Sequence, residues 1–484
     1  MRYKFLTVFA LLAFTLSVQA QEKWSLLKCI EYAMANNISI KQVDLQTKLA
    51  ALQLRQSKLG QLPSLSFSGG PSYNNGRNQD PTTFTLITQS YLSTSMQLQS
   101  SADIFNWFSK RNTIAANEWE LKAAGANTDK LKNDIALSVA SSFLQILLAK
   151  EQEKIARVQI LQSYAQLSNT RKLVDAGSLP ELNASELEAQ VARDSSAVIT
   201  AKGNVEQSIL SLKSLMAIDA ATPFEIETPP VEKIPVEKIA DLQPESVYAS
   251  AVANLPQQRY NDYKIKAVQK SAAAAKGAMY PSFSAFGSLG SNYAASFNTP
   301  NYDRVLTGND LPTGLKAVDI NGNFVYNVVT PEFAQVRNGN FHSNPFFTQV
   351  SDNFRQSIGL GLTVPIFNGY SARTNYRRSK INIINQQLQK EADDQKLKQD
   401  IYQAYNAAIV AFEKFNAGRK AVETAERTFF YAQKRYDVGL MSTFELLTNQ
   451  NNLFSVRLQD ALNQFDYVFK MKVLEFYKGQ GLKF

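Results

Sequence analysis

The segment Ile358-Gly359-Leu360-Gly361-Leu362-Thr363-Val364-Pro365-Ile366-Phe367-Asn368 places an aliphatic residue at every second position up to Ile366, with small or polar residues mostly between. Period-two alternation predicts a strand with one apolar face. Gly359-Leu360-Gly361 superficially suggests a phosphate loop, but it sits inside the alternation and no helix start directly follows it. Three other segments alternate in the same way. Leu65 and Phe67 alternate with Ser64, Ser66 and Ser68. Met96, Leu98, Ala102 and Ile104 alternate with Gln97, Gln99, Ser101 and Asp103. Phe283, Ala285 and Leu289 alternate mainly with Ser284 and Ser288. The expected strands cover about 64–74, 93–105, 282–293 and 354–367. Apolar-out, polar-in alternation over roughly ten residues is the pattern of an outer-membrane strand. An ordinary half-buried sheet alternates too, so the aromatic flanks matter: Tyr73, Tyr91, Phe105, Trp107, Phe354, Phe367 and Tyr370 favour a membrane interface.

The same segment leads to an internal repeat. Ile366-Phe367-Asn368 matches Ile104-Phe105-Asn106 at an offset of 262, and Asp437-Val438-Gly439 matches Asp175-Ala176-Gly177 at the same offset. Upstream, Ala253-Asn254 matches Ala35-Asn36, and Pro281-Ser282-Phe283-Ser284-Ala285 resembles Pro63-Ser64-Leu65-Ser66-Phe67, both offset by 218. The difference, 262 − 218 = 44 residues, is an insertion between the two strands of the second copy. It falls within about 294–353, a stretch rich in Asn, Gly and Pro, and is expected to be a surface loop. The chain therefore reads as a signal segment (1–20), a first repeat (21–222), a linker (223–244, with five prolines) and a second repeat (245–484).

Helical periods fill the rest. Leu397, Ile401, Tyr405, Ala408, Phe412 and Phe415 follow three- and four-residue steps, as do Leu131, Ile135, Val139 and Phe143 in the first copy. Proline is absent from Asn106 to Leu179 and from Asn368 to the C-terminus. A helix of about 65 residues would run roughly 100 Å, which implies coiled-coil packing. Each long helix reaches a glycine, Gly177 or Gly439, followed by helix-start chemistry at Ser178-Leu179-Pro180-Glu181 and Ser442-Thr443-Phe444-Glu445. The glycines are expected to be the tips of helical hairpins. The returning helices should run about 181–217 and 444–477, and the helices entering the strand pairs about 38–60 and 257–277.

The N-terminus carries Arg2 and Lys4, a mostly apolar run from Phe5 to Val18, and small residues at Val18-Gln19-Ala20. That is a removable signal peptide, with the mature chain starting at Gln21. Cys29 lies well past that site, so a lipid-modified N-terminus has weak support. The mature charge of 49 − 42 = +7 is modest and scattered among acids, which gives nucleic-acid binding little support. One cysteine excludes an intrachain disulfide framework, and one histidine, His342, argues against a built metal site. A histidine-centred triad would need His342, which falls in the inserted segment. No motif points to a cofactor or an enzyme. Ile135 to Ala149 is the nearest approach to a spanning helix and is too short.

Four strands cannot close a barrel, and open sheet edges are not tolerated in lipid. Other copies of the chain must complete the sheet. A dimer would give 8 strands filled by side chains, whereas a trimer would give 12 and leave a lumen. The polar inner faces favour the trimer.

With these features the sequence resembles the TolC-like outer-membrane efflux protein family over nearly all of the mature chain. The residues that carry the resemblance are Asn36-Asn37 after the first helix, Val364-Pro365-Ile366-Phe367-Asn368-Gly369 at a strand end, and Tyr436-Asp437-Val438-Gly439 at a hairpin tip. The resemblance implies a membrane α+β fold: a homotrimeric 12-stranded β-barrel continued by a long periplasmic α-helical tunnel. It implies a channel in the outer membrane of a Gram-negative cell. Such channels work with a periplasmic adaptor protein and an inner-membrane efflux pump or ABC transporter. It places adaptor contacts at Gly177, Ser178, Leu179, Gly439, Leu440 and Ser442. Some members close the tip with an Arg–Asp lock, and here those positions hold Met441 and Asn183, although Tyr436 is retained. An acidic ring in those members maps onto Glu445, with Thr448 at a second ring position. Three Glu445 copies around a lumen would repel one another, raise the carboxylate pKa and favour cations. The alternative is a plain exposed glutamate in the first turn of a helix.

Two competing functions have distinct signatures. A periplasmic coiled-coil scaffold without a pore explains the helices but not the alternating strands. A general porin predicts mostly strand.

Overall fold

The computed structural model describes residues 23–79, 84–228, 234–295 and 298–479. The expected signal peptide lies outside them. Two compact units emerge. One comprises residues up to Arg55, Thr113–Ala272 and Tyr376 onward; the other comprises Gln56–Asn112 and Ala273–Asn375.

The elements repeat. The first copy runs α1 (Leu26–Asn36), α2 (Ile38–Leu59), β1 (Ser64–Gln79), β2 (Leu86–Phe105), α3 (Ser109–Asp175) and α4 (Glu181–Met216). The second runs α5 (Pro244–Asn254), α6 (Pro256–Gly277), β3 (Ser282–Ala294), β4 (Asn298–Val318), β5 (Phe324–Ser343), α7 (Phe346–Asp352), β6 (Arg355–Thr363), α8 (Ser371–Asp437) and α9 (Thr443–Tyr477). Lengths match closely: 11 residues in α1 and α5, 22 in α2 and α6, 67 in α3 and α8, and 36 against 35 in α4 and α9.

The first unit is helical. Its main core joins Leu26, Cys29, Ile30 and Ala33 of α1 to Val139, Phe143, Ile146 and Leu147 of α3, Leu212 and Met216 of α4, and Phe465 and Val468 of α9. An 18-residue window in α3 reaches a mean hydropathy of 1.2, apolar enough by composition to cross a membrane, and 44% of it is buried within the chain. Asn37 joins α1 to α2: its side-chain carbonyl accepts the Ser39 N–H at 2.9 Å, and its amide donates to the Leu215 carbonyl at 2.8 Å. In the second copy α6 begins at Pro256, whose fixed φ suits the first helical position. The linker holds more structure than its prolines suggest. Ile226 pairs with Trp24 in a parallel bridge, and Ile226, Ile234 and Leu242 are buried. Apolar residues spaced between the prolines seal the helix ends.

Cys29 is fully buried, and loss of solvation pushes its thiol up to about 12. The native protein is therefore expected to leave Ellman's reagent unreacted at mildly alkaline pH and to react with one equivalent after unfolding. Fast reaction of the native chain would contradict this packing.

The second unit holds a four-stranded antiparallel sheet in the order β1-β2-β3-β6. Residues directly opposite share a face, so the register defines two surfaces. One carries Leu65, Phe67, Met96, Leu98, Leu289, Ile358, Leu360 and Leu362; the other carries Ser66, Ser68, Gln97, Gln99, Ser288 and Ser357. The apolar face is uncovered, and Ile358 is 92% exposed. On the polar face, the ring of Phe286 covers Gly359, where a Cβ would lie 2.6 Å from it. That glycine is an aromatic-covered sheet position, not a phosphate loop.

The strand bounds differ from expectation in physically legible ways. β6 stops at Thr363 instead of 367, because Pro365 has no N–H to donate to a ladder. β1 and β2 run beyond 74 and before 93, to a pairing of Gln79 with Leu86. Polar cross-strand bonds such as Asn74 to Ser93 at 2.8 Å and Ser90 to Asn75 at 2.9 Å stabilise that extension. The segment expected as a loop over 294–353 is instead a second, two-stranded sheet, β4 with β5, followed by the short helix α7. Four register shifts interrupt this ladder, and two of them are Thr-Gly bulges. At Thr307-Gly308 and Thr313-Gly314 the glycines take φ of 81° and 75°, and each threonine hydroxyl donates across to β5. His342 lies in β5.

Candidate functional site: the helical hairpin tips

Both hairpins end by the same mechanism. The Ser178 N–H donates to the Leu173 carbonyl and Gly177 N–H to Val174, each at 2.8 Å; Leu440 N–H donates to Arg435 at 2.8 Å and Gly439 N–H to Tyr436 at 2.9 Å. Gly177 and Gly439 have φ of 74° and 76°, the left-handed geometry that lets a helix stop and the chain reverse. The returning helices start differently. Pro180 precedes α4 without a side-chain cap. Ser442 and Glu445 form a reciprocal capping box at the start of α9.

The capping box decides the local state of Glu445. The Ser442 backbone N–H donates to its carboxylate at 3.0 Å, as does the Ser442 hydroxyl, and the Glu445 N–H donates to the hydroxyl at 3.2 Å. The Ser442 backbone N–H, then its hydroxyl, hold the Glu445 carboxyl below the ordinary carboxylate range, with a smaller contribution from Arg435. Within one chain the shift is thus downward, opposite to that expected of three facing copies. A depressed carboxylate stabilises the folded tip above the ordinary carboxylate pKa, and this stabilisation is lost as pH falls through the depressed value. Ser442→Ala is expected to move the Glu445 titration, followed by carboxyl NMR, upward by part of the shift; an unchanged titration would refute the cap.

Tyr436 is the centre of a polar layer: its hydroxyl lies 3.0 Å from the Thr170 hydroxyl and 3.3 Å from the Thr443 hydroxyl. It ties α3, α8 and the start of α9 together within one chain. Asn183 and Met441 are half-buried. Asn183 donates its backbone N–H to the Pro180 carbonyl, and neither residue supplies an ion pair. Thr448 is exposed, with its hydroxyl bonded to the Phe444 carbonyl at 2.8 Å. Leu440, Val438, Phe444 and Leu182 are exposed around the tips, while Leu179 is half-buried.

Two features of this region have no local sequence signal. Arg171 pairs with Glu181, and with Glu188 at 2.5 Å, across the hairpin turn. Farther along the bundle, Asp194 is buried and accepts from the Ser163 hydroxyl at 2.6 Å and the Gln190 amide at 2.9 Å; the Gln450 amide donates to Ser163 at 3.1 Å. These partners come from three helices, so only the hairpin fold brings them together.

Among the described residues no group of three or more His, Cys, Asp or Glu could hold a metal ion.

The sequence model of the outer membrane efflux protein family matches residues 29–217 and 335–472. The chain is similar to the outer membrane efflux protein BepC of Brucella suis biovar 1 (strain 1330), with 20% identity over 399 residues, 82% of this chain and 73% of BepC. Its fold is similar to that of CusC (TM-score 0.73, 16% identity, 96% of each chain). It is likewise similar to the CmeC outer membrane channel of Campylobacter jejuni (TM-score 0.72, 17% identity, 95% of this chain and 86% of that one). Because the matched segments cover more than half of the sequence, the protein belongs to the outer membrane efflux protein family: it is an outer-membrane channel protein and not an enzyme.

Proposed function

We propose that three copies of this chain form the outer-membrane duct of a tripartite efflux or type I secretion system. The duct would carry small molecules or polypeptides from the periplasm or cytoplasm to the outside. The observation that carries this reading is the four-stranded sheet. One face is apolar although nothing covers it, its other face is polar, and among the described residues its outer strands β1 and β6 have no second partner. In lipid each of those edges needs a ladder. Pairing β6 of one copy with β1 of the next closes 12 strands around a polar lumen. A scaffold without a pore would leave Leu65, Phe67, Ile358 and Leu360 in water.

In this reading the hairpin tips meet a periplasmic adaptor through Gly177, Ser178, Leu179, Gly439, Leu440 and Ser442, and an inner-membrane pump or ABC transporter supplies the cargo. Tyr436, Asn183, Met441, Glu445 and Thr448 then form the gate region. Purified protein in a planar bilayer should give single-channel currents and should run as a trimer in native mass spectrometry. A photo-crosslinker at Leu440 should capture the adaptor, and Glu445→Ala should lower cation preference. A monomer without conductance would sink the duct, and unchanged selectivity in Glu445→Ala would sink the acidic ring alone.

A further inference from the structure

The polar face of the four-stranded sheet carries two charged side chains among the described residues. Asp103 is neutralised by the Lys110 ammonium at 2.8 Å. Arg355, the first residue of β6, is exposed, and among the described residues it makes no ion pair with a carboxylate. It stands at the end of the cross-strand row Ser68, Gln97, Gly290, Arg355. Its direct partner Gly290 has no side chain, which leaves the space over that strand open. One guanidinium N–H donates to the Asn292 side-chain carbonyl at 3.3 Å, which orients the group across β3. The same residues line a concave cavity of about 760 Å³, shared with Ser288 and Ser357. A guanidinium presents five donors in a planar fork suited to carboxylate and phosphate. Here it shares the cavity with serine hydroxyls, a glutamine amide and an asparagine amide, and none of the described lining residues is acidic.

We propose that Arg355 makes the barrel section of the duct an anion-attracting collar, a local binding place for phosphate or carboxylate groups beyond the gate region. The inference rests on the duct reading, because that reading turns the polar face toward the lumen and brings three copies of Arg355 around it. A ring of cations in a water-filled pore raises local anion concentration, and it does so most strongly at low ionic strength. Gln97 and Ser68 extend each guanidinium into a short polar row along which an oxyanion keeps hydrogen-bond partners.

The test uses the full-length protein in planar bilayers at low salt, with tripolyphosphate added on the barrel side. Wild-type currents should be blocked. Arg355→Gln should need about tenfold more tripolyphosphate for the same block, and Arg355→Lys, which keeps the charge, should retain most of it. Equal block of Arg355→Gln and wild type, or no block of wild type, overturns the collar. A wild type that conducts nothing overturns the duct reading itself, so the two failures are distinguishable. If Arg355→Gln does not insert, Asn292→Asp gives a second reading. It sets a carboxylate against the guanidinium and should lose the block, and undiminished block there overturns the collar as well.

Discussion

Leu360→Arg is expected to stop the chain from assembling in the outer membrane. Leu360 lies in the middle of β6 on the uncovered apolar face, flanked on that face by Ile358 and Leu362. An arginine on the lipid face near the bilayer midplane costs about 2–4 kcal/mol, and in an oligomer each copy bears that cost. Outer-membrane fractions should lose the heat-modifiable oligomer band on gels, and the chain should be degraded or collect in the periplasm. Ser357→Arg is the control. It places the same side chain one strand position from Ile358 but on the polar face, and it should assemble normally. If Leu360→Arg assembles like wild type, the apolar face does not meet lipid.

Lys472→Met should produce the largest destabilisation in the helical unit. Lys472 and Glu475 are only 2% and 5% exposed, and the ammonium lies 2.8 Å from the carboxylate. The other carboxylate oxygen accepts the Glu237 N–H at 2.9 Å, so the pair also pins the linker to α9. Removing the cation leaves a buried charge uncompensated, at a cost of roughly 3–5 kcal/mol. The melting temperature of the helical signal should fall, and trypsin should cut within 223–244. Lys472→Met with Glu475→Gln keeps an acceptor for Glu237 without the charge, and should recover most of the loss. A double variant no better than the single one would show that the damage lies in packing and not in charge.

The strands were legible because their apolar period survives without context: Ile358, Leu360 and Leu362 declare one face whatever they pair with. The hairpin tips were legible because Gly177 and Gly439 occupy the same place in two copies of one unit. The ribbon of β4 and β5 was not legible, since each Thr-Gly bulge inserts residues that break the period of two. The end of β6 is not legible either, because alternation continues through Ile366 while Pro365, with no N–H to donate, ends the ladder at Thr363. At the tips, the sequence marks Tyr436 and Glu445 but not what they touch. Glu445 is held by its own capping box, a contact readable from Ser442 three positions earlier. The Thr170 contact to Tyr436 and the Asp194 cluster join residues from separate helices, and no local pattern encodes them.

The equal lengths of α3 and α8, 67 residues each, carry a consequence for how such a gene can change. Deleting two heptads from one of them alone would leave that arm about 21 Å short of the returning helix beside it and of its counterpart in the other copy. The same deletion made in α3, α4, α8 and α9 together would keep the two halves matched. Insertions and deletions in these helices should therefore be inherited in compensating sets, and descendants of the duplication should differ in length by paired steps more often than by single ones.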